Sequence, residues 1–317
     1  MLSKLLVRMG WRSAISPAAP VAPVAPVAHF DYLNQTWNQR KTNVLANSDD
    51  WFAGSFTQAN IENVEYAAGG KPAFVHVVFN LGADALGNFL QTGNYLNAYQ
   101  KPVVGGQPRK PSASRKSVDV MLGLTNPASI YFCAISGAGT GVRFYGEYCV
   151  ALKSPNDIES VKRILDRNSY HFIEEPFKGL LRSLSAPQKH DLIQKMMCDF
   201  RSDDFKSMLS IKVLQHHAVR PRLLTPGNIA EGILSDEDYV EALHEGPVKL
   251  SAVLEVRSHP DDKLTELDIE QRWRHGEHVT PEELLWIDRR QKVSKLLASR
   301  DIPNIRVSGQ GRSNRWK

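Results

Sequence analysis

Gly137, Gly139, Gly141 and Gly146 crowd into one short loop, and Arg143 sits among them. Glycine lets a backbone come close to a ligand, and the planar fork of arginine donates paired hydrogen bonds to phosphate. The combination predicts a nucleotide or dinucleotide pocket around this loop, with Arg143 as its fixed positive charge. Sharper motifs are missing. The run Gly137-x-Gly-x-Gly141 is not the dinucleotide fingerprint, because a strand rather than a helix follows it. No phosphate loop closes on Gly-Lys-Ser or Gly-Lys-Thr. His216 and His217 are adjacent, so on a helix they point about 100° apart and do not readily share a metal. His259-Pro-Asp-Asp262 reads as a turn before it reads as a metal site. No metal site and no Ser-His-Asp or Cys-His pairing is expected.

Such a loop needs rigid flanks. Ile130 to Ile135 and Tyr148 to Leu152 are short runs of β-branched and aromatic residues bounded by glycine, and they read as strands. Lys71 to Asn80 is a third strand. Leu81 to Gln91 follows as a short helix with Leu86, Phe89 and Leu90 on one face, stopped at Thr92-Gly93. Val103 to Ser117 carries Arg109, Lys110, Arg115 and Lys116 among glycines and prolines, which predicts an exposed basic loop. Pro155 to about Val219 reads as helical: Asn156-Asp157 caps Ile158, Val161, Ile164 and Leu165, and Asp191 to Met208 continues the pattern. Thr225 stands where it can cap a short helix through Leu234. Val248 to Arg257 reads as a strand, and Leu267 to Ser299 as helical, with a clear start at Thr280-Pro-Glu-Glu283.

The fold class expected is α+β: a split, mostly antiparallel sheet that holds the pocket, interrupted by a helical insertion and closed by C-terminal helices. The expected organisation is a basic, proline-rich segment over 1–30, the first part of the α+β domain over 31–154, the insertion over 155–222, the second part over 223–299 and a frayed basic tail over 300–317. Within the first part, Trp37 and Trp51 are the expected anchors.

The order of elements carries a resemblance. A strand with His76 leads into a helix ending Phe89-Leu-Gln-Thr-Gly93, a strand opening Ile130-Tyr-Phe132 comes next, and much later Glu241 opens the run Glu241-Ala-Leu-His-Glu-Gly-Pro-Val248. This resembles the ADP-ribosyltransferase superfamily, and within it the His-Tyr-Glu type and toxins of the DarT kind that modify nucleic acid. The likeness covers 72–153 and 237–257; it departs from the family at the glycine loop and in the length of the insertion. The resemblance implies NAD as the substrate whose ribose–nicotinamide bond is cleaved. It implies Glu241 as the catalytic carboxylate, with Glu147 and Glu245 as competitors, Arg143 on phosphate, His76 on the adenosine ribose, and Tyr131 or Phe132 walling the nicotinamide. It also implies a nucleic acid or protein acceptor and leaves room for a neutralising partner. Each residue has a plainer reading as well: Glu147 and Glu241 as surface carboxylates, His76 as a core histidine, Tyr131 and Phe132 as core aromatics.

The chain of 317 residues is 42% hydrophobic and 23% charged, long enough to bury a sizeable core. No apolar run approaches the roughly 20 residues that span a bilayer. The net charge of +5 suits an acidic or nucleic-acid partner without requiring one. Cys133, Cys149 and Cys198 lack metal-type spacing and read as reduced core thiols, which favours a cytoplasmic protein over a disulfide-stapled secreted one. Met1 to Ser16 carries Lys4, Arg8 and Arg12 with no acid, ahead of a Pro-Val-Ala repeat. That composition fits an organelle address, the leader of an injected effector, or a tail with no address. Nothing in the sequence sets the oligomeric state. Two other functional readings stay open: a non-catalytic nucleic-acid-binding or interaction protein using 103–117 and the basic tail, and a metal-dependent nuclease using Glu255 or Asp261-Asp262.

Overall fold

Apolar runs bounded by glycine become the middle strands of an eight-stranded sheet in the computed structural model. It describes residues 35–47, 56–69, 74–97, 99–100, 111–137, 139–153, 160–175, 177–217, 222–236 and 238–307. The strands are β1 (His76–Leu81), β2 (Ile130–Ser136), β3 (Tyr148–Leu152), β4 (Val161–Leu165), β5 (Met197–Asp199), β6 (Glu241–Glu245), β7 (Val253–Ser258) and β8 (Asn304–Arg306). They lie in the order β5-β4-β6-β2-β1-β3-β7-β8. Every neighbouring pair is antiparallel except β7 and β8. With ten helices among the described residues, the fold is α+β.

The helices start where side chains satisfy the free N–H groups of a first turn. Reciprocal capping boxes open α1 (Trp37–Ala46) at Thr36, α6 (Ala186–Gln194) at Ser185, α8 (Pro226–Ile233) at Thr225 and α10 (Pro281–Ser299) at Thr280. The remaining helices are α2 (Thr57–Gly69), α3 (Ala83–Thr92), α4 (Ala113–Met121), α5 (Phe177–Arg182), α7 (Asp203–His216) and α9 (Pro260–Arg274). Gly93 ends α3 at φ 74°, a left-handed stop that only glycine adopts freely. The largest apolar cluster joins Val77, Phe79, Tyr131, Ile135 and Val150 of the central strands to residues of α2, α3, α7 and α10. A second cluster packs α4, α5 and α6 around Leu165 and Leu243. Trp37 is buried in the first, and Trp51 lies outside the described residues.

Five expectations change. Residues 155–222 are not wholly helical, because Val161–Leu165 and Met197–Asp199 are strands of the same sheet. Val161, Ile164 and Leu165 fit helical spacing, but β4 is paired on both edges, and that pairing decides the conformation. The expected basic loop at 103–117 is in part α4: Ser112 accepts a hydrogen bond from the Arg115 N–H at 3.1 Å, and Arg115 is buried. Residues 101–110 lie outside the described residues. The tail supplies β8, parallel to β7, rather than fraying throughout. His259 caps α9, so the helix begins at Pro260, ahead of the expected start at Leu267. The strand expected from Val248 begins at Val253, behind a 3-10 turn at Leu250–Ala252. All three cysteines are free and buried, as their apolar surroundings predict. No helix among the described residues is long and apolar enough to cross a membrane.

Candidate active site

β1 and β2 pair at only three positions, His76 to Val78 against Ser136 to Ala134. Beyond Val78 each keeps only its outer partner: β1 continues along β3 to Leu81, and β2 along β6 back to Ile130. A cavity of about 260 Å³ occupies the gap. Alternate residues of a strand point to opposite faces. Phe79, Tyr131 and Cys133 belong to the main core yet line the cavity, and so do Asn80, Phe132 and Ala134 from the other face. The cavity is therefore lined from both sides of the sheet, at the place where the ladder stops.

β6 begins at Glu241, paired across the sheet with Ala134 and Leu165. Its carboxylate lines the cavity, yet the residue is only 2% exposed. The Ser169 N–H donates to it at 3.1 Å. Burial pushes this carboxyl up to about 7, against the pull of the Arg115 charge and the Ser169 hydrogen bond. A charge network fixes the approach to β6. Asp238 accepts from the Asn168 N–H at 3.1 Å and from the Tyr239 N–H at 2.9 Å, and it pairs with Lys212. Burial alone would raise Asp238, but Lys212 and His171 hold it well below the usual carboxylate range.

Among the described residues that line the cavity, Arg115 is the one base and Glu241 the one acid. The Arg115 guanidinium lies 3.7 Å from the ring centre of Phe132 and 5.3 Å from that of Tyr170. Its Nε donates to Asp119 Oδ1 at 2.7 Å, four residues on along α4. Tyr99 donates its hydroxyl to the other oxygen of Asp119, whose carboxyl burial raises to about 6. A stacked, paired guanidinium is held in a fixed orientation in which its planar fork can meet an anion. Tyr95, Tyr99, Tyr131, Tyr145, Tyr170 and Tyr239 make six of the chain's nine tyrosines cavity residues, so aromatic content is concentrated at this site. Tyr145, 49% exposed, marks the mouth.

A scan against protein-family models, a search of curated proteins and a search of solved structures gave no match to this chain.

Of the residues the sequence singles out, Glu241, Tyr131 and Phe132 come together on the cavity. His76 is on the same face as Val78, one pleat beyond the lining, and is nearly buried. Arg143 is not brought to the cavity lining: it pairs with Asp262 on α9 at 3.1 Å. Glu147 accepts from the Ala83 N–H at 3.1 Å and so serves the N-terminus of α3. Glu245 is at the exposed end of β6. Arg115 and the tyrosine wall were not singled out from sequence as site residues. The available signal was the Ser112 cap with Val118 and Leu122 at helical spacing, which places Arg115 on a buried helix rather than in a loop.

Proposed function

We propose that this protein is an NAD-dependent ADP-ribosyltransferase with a nucleic acid or protein acceptor. One observation carries the reading: a buried carboxylate, raised toward neutrality, faces an aromatic cavity that also holds a stacked arginine. Cleavage of the bond between ribose C1′ and nicotinamide passes through an oxocarbenium-like state, and the electron pair leaves with the nicotinamide. A carboxylate beside the ribose hydrogen-bonds its hydroxyl and stabilises the growing positive charge. Glu241 takes that role. The acceptor nucleophile then attacks C1′ and gives up a proton. Tyr131 and Phe132 offer faces for the nicotinamide ring. Arg115 supplies the positive charge for pyrophosphate that the sequence assigned to Arg143.

Pockets for drug-sized ligands run from roughly 300 to 1,000 Å³. At about 260 Å³ the cavity suits the reactive end of a dinucleotide. The residues of the nuclease reading are engaged elsewhere: Glu255 with Arg257 at 2.6 Å and Asp262 with Arg143. The carboxylate form of Glu241 is the useful one, so turnover should fall as pH drops below about 7.

The test is incubation of the purified protein with labelled NAD and crude lysate, followed by separation of the nucleic-acid and protein fractions. Label in either fraction supports the reading and names the acceptor. No label and no nicotinamide release overturns it.

A further inference from the structure

Away from the cavity, α7 ends at His216, and the chain leaves helical geometry at His217 with φ −99° and ψ 10°. This break changes what two adjacent histidines can do. On a continuous helix they would diverge by about 100°. Here their ring centres are 4.8 Å apart, with the ring planes at 84°. Glu231 comes from a different helix, α8, and its Oε1 lies 3.8 Å from His216 Nε2. One nitrogen from each imidazole and one carboxylate oxygen lie within 4.8 Å of one another.

We propose that His216, His217 and Glu231 bind one divalent transition-metal ion, zinc being the best fit. Two imidazoles and a carboxylate are a nitrogen-oxygen set that Zn²⁺ takes readily, with water completing four-coordination. Bonds of about 2.0–2.1 Å in a tetrahedron place donor atoms about 3.3 Å apart. The side chains must therefore draw in, and His216 and Glu231 are exposed enough to rotate. His217 Nε2 lies 2.8 Å from the Asn228 carbonyl oxygen. A carbonyl only accepts, so Nε2 carries the proton and Nδ1 the lone pair. An imidazole oriented by a backbone carbonyl is the usual arrangement behind a metal-bound histidine.

The position suggests what the ion does. α8 packs on α7, with Gly232 close against the Val213 backbone. The chain then runs from α8 through the Leu234–Tyr239 bridge to Glu241. A metal joining the end of α7 to α8 staples the element that precedes the cavity carboxylate. This assignment stands apart from the transferase reading, since it needs no substrate.

The full chain, stripped with chelator, is titrated with ZnCl₂ in a calorimeter and with CoCl₂ in a spectrophotometer. The expected result is one ion per chain, a raised melting temperature, and visible Co²⁺ absorption of a low-coordinate site. His216→Ala and Glu231→Ala should each weaken binding by about tenfold or more, and the double variant should abolish it. The Glu231 side chain is exposed and that of His216 partly so, so without metal both variants should melt close to the wild type. If His217→Ala perturbs the fold, these two variants still decide the question. Absence of binding by the wild type, or undiminished binding by the double variant, overturns the assignment.

Discussion

Two charged regions adjoin one another at the middle strands, the glycine loop and the gap between β1 and β2. They differ in the open volume their charged groups meet, although Val142 and Tyr145 of the loop also line the cavity. In the glycine loop the protein answers itself. Asn80 donates to the carbonyls of Thr140 at 2.9 Å and Gly146 at 3.0 Å, and accepts from the Val142 N–H at 2.7 Å. Arg257 donates to the Gly137 carbonyl at 2.6 Å, and Arg143 is paired with Asp262. The glycines serve this packing. A Cβ on Gly146 would lie 2.0 Å from the Leu81 carbonyl carbon, and Gly141 holds φ 65° with Asn80 against it. The gap between β1 and β2 differs in its open volume, although Arg115 is paired with Asp119 and Glu241 accepts from the Ser169 N–H. A buried carboxylate and a buried guanidinium face open volume, and burial raises Glu241 to about 7. A self-satisfied loop is scaffold, whereas a buried acid beside open volume is a candidate place for a ligand.

The sharpest way to break this contrast is Glu241→Gln. Transfer should fall about a thousandfold, the scale seen when one electrostatic stabiliser is removed. The same change should stabilise the fold at alkaline pH. Glu241 titrates near 7 when folded against 4.5 as its ordinary value, so between those pH values the folded state holds the extra proton. Stability then falls as pH rises through the window, and above pH 7 the charged form costs about 3 kcal/mol. Melting curves should show the variant above the wild type at pH 8, with the gain shrinking toward pH 5. A variant that is inactive and less stable at pH 8 would make Glu241 a structural residue. Next in size is Arg115→Lys, which keeps the charge but loses the fork and the stack on Phe132. NAD affinity should fall about ten- to hundredfold, from the loss of charge-assisted hydrogen bonds. Unchanged affinity by calorimetry would remove Arg115 from the site.

The central strands, α3 with its Gly93 stop and the Thr280 cap were legible in the sequence, because period, capping chemistry and glycine geometry are local. Glu241 was singled out through the order of elements, and it lines the cavity. Its burial was not legible, since that depends on Ala134 and Leu165 arriving from distant segments. β4 was misread because Val161, Ile164 and Leu165 satisfy helical spacing equally well. Arg115 was hidden for a related reason: glycine, proline and basic residues are the composition of a loop, and the Ser112 cap that begins α4 is a single side chain. Arg143 shows the opposite case. Its partner Asp262 is far along the chain, so the sequence presents an isolated cation where the fold has an ion pair.

A smaller effect probes the scaffold side. Asn80→Leu removes the amide that ties the glycine loop to β1 and strands a buried N–H and two carbonyls. That should cost about 3 kcal/mol of stability in denaturant melts. NAD binding should weaken as well, because Asn80 also lines the cavity.

The smallest expected effect separates the two regions most directly. Arg143 and Asp262 are 3.1 Å apart, with Arg143 about a quarter exposed, and Asp262 keeps Arg290 within 4.0 Å. A partly solvated pair of this kind is worth no more than about 1 kcal/mol. Arg143→Ala should therefore lower the melting temperature only slightly and leave NAD affinity within about twofold. The loop's hydrogen bonds run through Asn80 and Arg257, so they survive the change. A tenfold loss of affinity in this variant would mean that the binding surface extends from Val142 and Tyr145 to Arg143. The ion pair with Asp262 would then be a resting arrangement that NAD phosphate displaces, and the arginine would belong to the site after all.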